Sequence, residues 1–256
     1  MNQLDHFPAA RAGRYLLLLW ALAFVQPGAG AESSQLKVIE LFTSHGCSSC
    51  PPAERLLGEL LDAHSDLIGL EFHVDYWNDL VHGSDGNFID PFSDPSFSER
   101  QRHYNASQLK GRPGVYTPQA IINGRVAAVG SSRGHIEKAL NQRTPQLLQI
   151  SFDNAEQSGQ LRIVLSGDAS ARSQLQGVPV QLFSFIDNAT TNITGGENRD
   201  LQLKNRNIVT NLQVLGAVGT SIEQIFTLPA PGPGKGCVVV VQEISASPIH
   251  AAATCP

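Results

Sequence analysis

Residues 40–52 read Glu40-Leu-Phe-Thr-Ser-His-Gly-Cys47-Ser-Ser-Cys50-Pro-Pro52. The stretch passes from an apolar strand through a short polar turn into a helix. Residues 36–42 (LKVIELF) have the makeup of a short strand, and residues 51–61 place Ala53, Leu56, Leu57, Leu60 and Leu61 on one helical face. Two cysteines separated by two residues thus sit at a strand-to-helix junction. A pair so spaced can close a small disulfide ring, and the unpaired amides of a helix start favour a thiolate on the first sulfur. Cys47 is then the exposed, attacking thiol, and Cys50 is the resolving thiol that releases a mixed disulfide formed at Cys47.

Pro51 and Pro52 modify that picture. Proline lacks the amide that would extend a helix begun at Ser48, so the regular helix starts at Pro51 with Cys50 near its cap. Cys47 is left in a looser turn, with weaker thiolate stabilisation. Two other readings stay open. One is a permanent structural disulfide. The other is a metal site in which His45, His73 and His103 join the cysteines, since no second CxxC completes a zinc knuckle. His45, two positions before Cys47, raises the thiolate fraction if protonated and is otherwise an ordinary turn residue.

Outward from this motif, residues 67–74 (LIGLEFHV) read as a second, mostly apolar strand, as a sheet covered on both faces requires. Asp94-Pro95 reads as N-cap and first position of a helix running to about Leu109, with Ser96 and Glu99 as a capping box if it starts later. On that helix Glu99, Arg100 and Arg102 read as a solvated face. Residues 119–123 and 126–129 form a hairpin around Asn123-Gly124, and residues 132–140 form a closing helix with Ile136, Ala139 and Leu140 inward. The order predicts an α/β unit with a mixed sheet of about four strands and helices on both faces.

From Leu147 onward helical periodicity fades. Short β-like runs at 147–152, 161–165, 178–186, 208–215, 222–228 and 237–244 are separated by Gly, Asn, Asp and Pro clusters, as in a β-sandwich. The boundary falls at Thr144-Pro145, giving an α/β domain over 32–144 and a β-rich domain over 145–256. Gly195-Gly196-Glu197-Asn198 reads as a turn between strands, without a phosphate-loop pattern.

Residues 1–31 have the layout of a secretory signal: Arg11 and Arg14, an eleven-residue apolar run at 15–25, and a small-residue end at Ala29-Gly30-Ala31. The run is too short for a stable span of a hydrocarbon core about 30 Å thick. Export to a bacterial periplasm or the exterior places all four cysteines where disulfides persist. Cys237 and Cys255 then read as a clamp between the last strand and the C-terminus, the alternative being a Cys255 that is free or pairs between chains. Asn105, Asn188 and Asn192 head N-x-[ST] sites that matter only in a glycosylating host.

The 256 residues are 41% hydrophobic and 16% charged, which excludes a disordered chain or polyelectrolyte. Eighteen Lys and Arg against 23 Asp and Glu give a net charge of −5 and no basic footprint for nucleic acid. Much of the acidity lies between Asp75 and Asp94, a long stretch with Trp77, Phe88, Phe92 and five aspartates. It reads either as a lid over the cysteines or as a surface loop anchored by its aromatics. Asp85-Gly-Asn lacks calcium-loop spacing, and no G-x-S-x-G elbow supports a serine nucleophile.

The segment at 40–52 looks like the active-site strand–turn–helix of the thioredoxin superfamily. Val115-Tyr116-Thr117-Pro118-Gln-Ala-Ile-Ile-Asn-Gly124 through Gly130 resembles that superfamily's cis-proline, strand, hairpin and final helix. Together ELFTSHGCSSCPP, FHVDYW, YTPQAIINGR and the later GENRDL resemble a family of secreted thioredoxin-like proteins without a settled activity. The resemblance implies a thioredoxin-like mixed sheet with flanking helices, followed by a β-sandwich-like C-terminal domain. It further implies thiol–disulfide exchange with protein or peptide thiols at Cys47 and Cys50. A cis Pro118 would face that pair, Thr117 would offer its backbone to a bound peptide, and Tyr116 and Trp77 would lie beside them. Two departures matter: Gly46 stands where thioredoxin has tryptophan, and Leu41 where it has a buried acid. Glu40 is one residue off and points to the opposite side of the strand. His45, Glu40 and Asp75 are thus candidate modulators, and no cofactor or resident metal is assigned.

Overall fold

The computed structural model describes residue 1 and residues 35–80, 82–83, 86–107, 109–155, 159–243 and 248–256. The expected export signal lies outside the described residues, and among these no helix is long and apolar enough to cross a membrane. Residues Ser33–Pro256 form one compact unit.

The first half holds β1 (Val38–Thr43), α1 (Pro51–Ala63), β2 (Ile68–His73), the short α2 (Trp77–Leu80) and a small β3–β4 ladder (His82–Gly83, Gly86–Asn87). Then come α3 (Pro95–Ala106), β5 (Lys110–Gly111), β6 (Gln119–Ile122), β7 (Val126–Val129) and α4 (Arg133–Leu140). Strand alternation sorts β1 between two cores. Ile39 and Leu41 pack with Leu56, Leu57 and Leu60 of α1 and Ile136 of α4, while Val38 and Phe42 pack with Phe97 and Tyr104 of α3. Helices therefore cover both faces. Asp94 caps α3 through its side chain, which accepts from the Ser96 amide, and Pro95 occupies the first turn. The β6–β7 turn runs through Asn123 (φ 52°) and Gly124 (φ 64°), the left-handed pair a two-residue hairpin needs. The Asn123 side chain also accepts from the Val38 amide and donates to the Leu36 carbonyl, tying this hairpin to the start of β1.

The second half holds β8 (Gln149–Ala155), β9 (Gln160–Ser166), α5 (Ala169–Leu175), β10 (Pro179–Asn192), β11 (Gln202–Ala217), β12 (Glu223–Pro229), β13 (Lys235–Val241) and β14 (Ala251–Thr254). Its strands extend the sheet of the first half. One mixed nine-stranded sheet has the order β14-β13-β10-β11-β2-β1-β6-β7-β5, and a three-stranded sheet has the order β12-β9-β8. Beside β2, β11 makes a parallel bridge at Ile208–Glu71. Leu161, Ile163 and Leu165 of β9 pack with Val180, Leu182, Val239 and Val241 of the large sheet. Full burial of such side chains contributes about 1.5–3 kcal/mol each. Cys237 on β13 is bonded to Cys255 just beyond β14.

The α3 face expected to be solvated divides. Glu99 and Arg102 are exposed, but Arg100 is 5% exposed and forms an ion pair with Glu40 at 2.6 Å. Phe97, Arg100, Gln101 and Tyr104 recur at helical spacing and share the buried face, so Arg100 is carried inward with its apolar neighbours. Tyr104 and Gln242 complete its network.

Candidate functional site at the β1–α1 junction

Between β1 and α1 the chain makes two tight turns. The Cys47 amide donates to the Ser44 carbonyl at 3.1 Å, and the Cys50 amide donates to the Cys47 carbonyl at 3.1 Å. Cys50 is the N-cap residue of α1, and its carbonyl accepts from the Ala53 and Glu54 amides. Pro51 and Pro52 fall in the first turn, where a missing N–H leaves no helical bond unmade. Cys47 and Cys50 form a disulfide, so the CxxC spacing closes the small ring expected of a candidate redox site.

Cys47 is 1% exposed and Cys50 is fully buried, whereas Ser48 and Ser49 are exposed. The exposed attacking sulfur expected from sequence is therefore covered. Against this turn rests the far end of the β10–β11 hairpin. Asn198 Nδ2 donates to the carbonyls of His45 at 2.9 Å and Cys47 at 2.8 Å. Glu197 accepts from the Ser48 amide at 2.9 Å and the Ser48 hydroxyl at 2.7 Å, and its own amide donates to the Gly46 carbonyl. The Ser48 hydrogen bonds hold the Glu197 carboxyl below its ordinary pKa.

Beneath the motif lies a buried polar layer. His45 and His73 are fully buried, with ring centroids 4.8 Å apart, and Phe92 meets both rings edge-on. Asp90 accepts from the His45 amide at 2.7 Å and from the Phe92 amide at 3.1 Å, and His73 Nδ1 lies 2.9 Å from its Oδ2. Asn205 of β11 donates to Glu71 at 2.8 Å, which turns its carbonyl oxygen toward His45 Nε2 at 2.9 Å. The Thr43 hydroxyl donates to Glu54 at 2.6 Å.

Burial, aided by the nearby His73 charge, pushes the His45 pKa down and leaves its ring neutral. Burial also opposes charge on His73, but Asp90 and Glu71 outweigh it and raise this ring to about 10. For Asp90, burial is outweighed by His73 and His45, which hold the carboxyl well below its usual range. Burial and the neighbouring Glu71 charge push Glu54 up to about 7.

The other candidates from sequence divide into groups. Trp77 Nε1 donates to the Thr117 hydroxyl at 2.6 Å, and the Thr117–Pro118 peptide is cis. A Cβ at Gly130 would meet both Ala53 and Pro118 at 3.0 Å, which places Pro118 near the first turn of α1. The Tyr116 carbonyl accepts from Gln101, whose own side-chain oxygen accepts from the Tyr76 hydroxyl. Asp75 is bonded to Ser98 of α3, and Glu40 faces Arg100 across β1 from α1. His103 sits on α3 beside Glu99, not in the His45–His73 layer.

Sequence reasoning gave Glu54, Glu71, Asp90, Asn198 and Asn205 no role. Glu54 had a local signal: it stands four residues after Cys50, one helical turn along the same stripe. Asn198 and Asn205 arrive from 151 and 160 positions away, so no local pattern announces them.

The chain belongs to DUF1223, a family of proteins of unknown function, whose pattern matches residues 38–242. A protein of Agrobacterium tumefaciens solved by X-ray crystallography is 27% identical, with a TM-score of 0.66 over 88% of this chain and 95% of its own. HBP35 of Porphyromonas gingivalis shares the fold at 13% identity, with a TM-score of 0.56 over 87% of this chain and 75% of its own. Among curated proteins none matches.

Proposed function

We propose that this chain is an exported thiol–disulfide oxidoreductase of thioredoxin-like ancestry that acts on protein or peptide thiols through Cys47 and Cys50. The observation that carries the reading is the closed Cys47–Cys50 ring at the head of α1, under a cover held by hydrogen bonds to its backbone and to Ser48. A partner thiolate attacks Cys47 Sγ and forms a mixed disulfide, the Cys47–Cys50 bond breaks, and Cys50 leaves as a thiolate that takes up a proton. A second partner thiol, losing its proton, attacks the partner sulfur of that mixed disulfide and expels Cys47. The partner ends as a disulfide, and this chain has gained two electrons and two protons. Thr117 and Pro118, near the first turn of α1, hold the partner's backbone, with Tyr116 and Trp77 alongside.

The burial of Cys47 favours one competing reading, a binding module in which the pair is only a staple. The reduction potential separates the two. An exchange centre has a potential above about −300 mV, and the Cys50→Ser variant, whose Cys47 thiolate attacks a peptide disulfide and expels one of its two sulfurs as a thiolate, traps the mixed disulfide at Cys47. A potential below that value, with no trapped adduct, overturns the oxidoreductase reading.

A further inference from the structure

The polar layer under the cysteines has an imbalance that the exchange chemistry does not use. Asn205 donates its amide to Glu71 and so presents only its carbonyl oxygen to His45, at 2.9 Å from Nε2. His45 Nε2 must therefore carry the ring proton. In the neutral ring, Nδ1 is then a bare lone pair, fully buried and without a hydrogen-bond partner, facing Asp90 Oδ1 at 3.6 Å. Two acceptors turned toward each other in a dry interior repel, and an unsatisfied buried polar atom is rare and costly. His73 also turns its Nδ1 to Asp90, although here Nδ1 is hydrogen-bonded and Nε2 is the atom without a partner. Its Nδ1 faces Asp90 at 2.9 Å, while its Nε2 lies 3.7 Å from Glu71 Oε2. Both imidazoles thus direct Nδ1 at one carboxylate and turn Nε2 toward a second acceptor.

We propose that His45, His73 and Asp90 form a binding site for one borderline divalent transition-metal ion, ligated by the two Nδ1 atoms and an Asp90 oxygen. One potential ligand atom from each of the three residues lies within 4.8 Å of the others, and Asp90 oxygens stand 2.9 Å from His73 Nδ1 and 3.6 Å from His45 Nδ1. An ion with bonds of about 2.0–2.1 Å holds its ligands roughly 3–4 Å apart, so the rings close slightly upon it. Two imidazoles and a carboxylate suit zinc, cobalt, iron or copper better than the harder calcium or magnesium. The ion replaces the proton of His73 Nδ1, which leaves to solvent, and fills the gap before His45 Nδ1. Asn205 orients His45 by accepting from its Nε2–H, as supporting residues do around metal-bound histidines, and Glu71 stands 3.7 Å from the unpartnered Nε2 of His73. The site shares His45 and His73 with the cysteine–histidine set suggested by the sequence but takes Asp90 in place of the thiols and needs neither of them.

The test uses the full mature chain with both disulfides formed, stripped with chelator and dialysed against Zn2+ or Co2+. The expected result is about one ion per chain, with cobalt visible bands of a nitrogen–oxygen site and no sulfur charge-transfer band. The Cys47→Ser/Cys50→Ser double variant binds equally well. Asp90→Asn and His45→Gln bind about 100-fold more weakly, and Asn205→Ala, which keeps every ligand, about tenfold more weakly. Absence of stoichiometric uptake by the oxidised wild type overturns the proposal whatever the variants do. Loss of uptake in the double cysteine variant overturns it too, as does undiminished binding in both Asp90→Asn and His45→Gln.

Discussion

The Asn198 side-chain amide donates to the Cys47 carbonyl at 2.8 Å, bridging a separation of 151 positions. The same nitrogen reaches the His45 carbonyl, so one residue from the β10–β11 hairpin fixes the backbone on both sides of Gly46. The second half of the chain is thereby built into the environment of the cysteine pair.

Asn198→Ala removes that clasp. Two buried carbonyls lose their donor, which costs about 2 kcal/mol of stability. The cover also opens more often, and reduction of Cys47–Cys50 by dithiothreitol accelerates roughly tenfold, since local opening governs access to buried groups. Glu197→Ala, at an exposed position, changes stability by less than about 0.5 kcal/mol and has a smaller kinetic effect. Denaturant titration and quenched alkylation time courses measure both quantities. An unchanged reduction rate in Asn198→Ala refutes the gating role of the hairpin.

Glu40 and Arg100 call for the opposite outcome. They form a buried ion pair on the face of β1 turned away from α1. Arg100→Met strands a buried carboxylate and costs about 3–5 kcal/mol, whereas Arg100→Met/Glu40→Leu recovers most of the loss. Neither variant shifts the Cys47–Cys50 reduction potential, because the sheet separates the pair from the disulfide. Chemical denaturation and redox titration of the same samples test this; a shifted potential would return Glu40 to the site.

What was legible in the sequence followed from local chemistry. Asn123-Gly124 specifies its own turn, Asp94-Pro95 its own helix start, and Cys50 followed by two prolines its own cap. The junction of the two halves was not legible, because Ile208 beside Glu71 is a strand contact between remote segments and leaves no mark on either periodicity. Arg100 was misread for a different reason. Its charge suggested solvent, but its spacing from Phe97 and Tyr104 placed it on the inward face. The covering turn showed only its turn residues, since its ligands are backbone carbonyls that carry no side-chain signature.

Glu54 sets a pH dependence in the direction opposite to ordinary acid denaturation. Its buried carboxyl titrates at about 7 in the folded chain against 4.5 as an unperturbed group. The folded state therefore binds more protons than the unfolded state between these values, and stability from this group falls as pH rises through that window. The loss is on the order of 1–3 kcal/mol and is complete above about pH 8. Asp90 works the other way: its lowered pKa gives stability that is present above the ordinary carboxylate range and lost as pH falls. Wild-type unfolding free energy, measured by denaturant at half-unit steps from pH 4 to pH 9, is expected to decline between pH 5 and pH 7. Glu54→Gln keeps the hydrogen bond from Thr43 and removes the charge, so its profile loses the part of the decline that Glu54 contributes and exceeds wild type at pH 8. A parallel decline in both proteins would assign the slope to another group and show that Glu54 ionises without penalty.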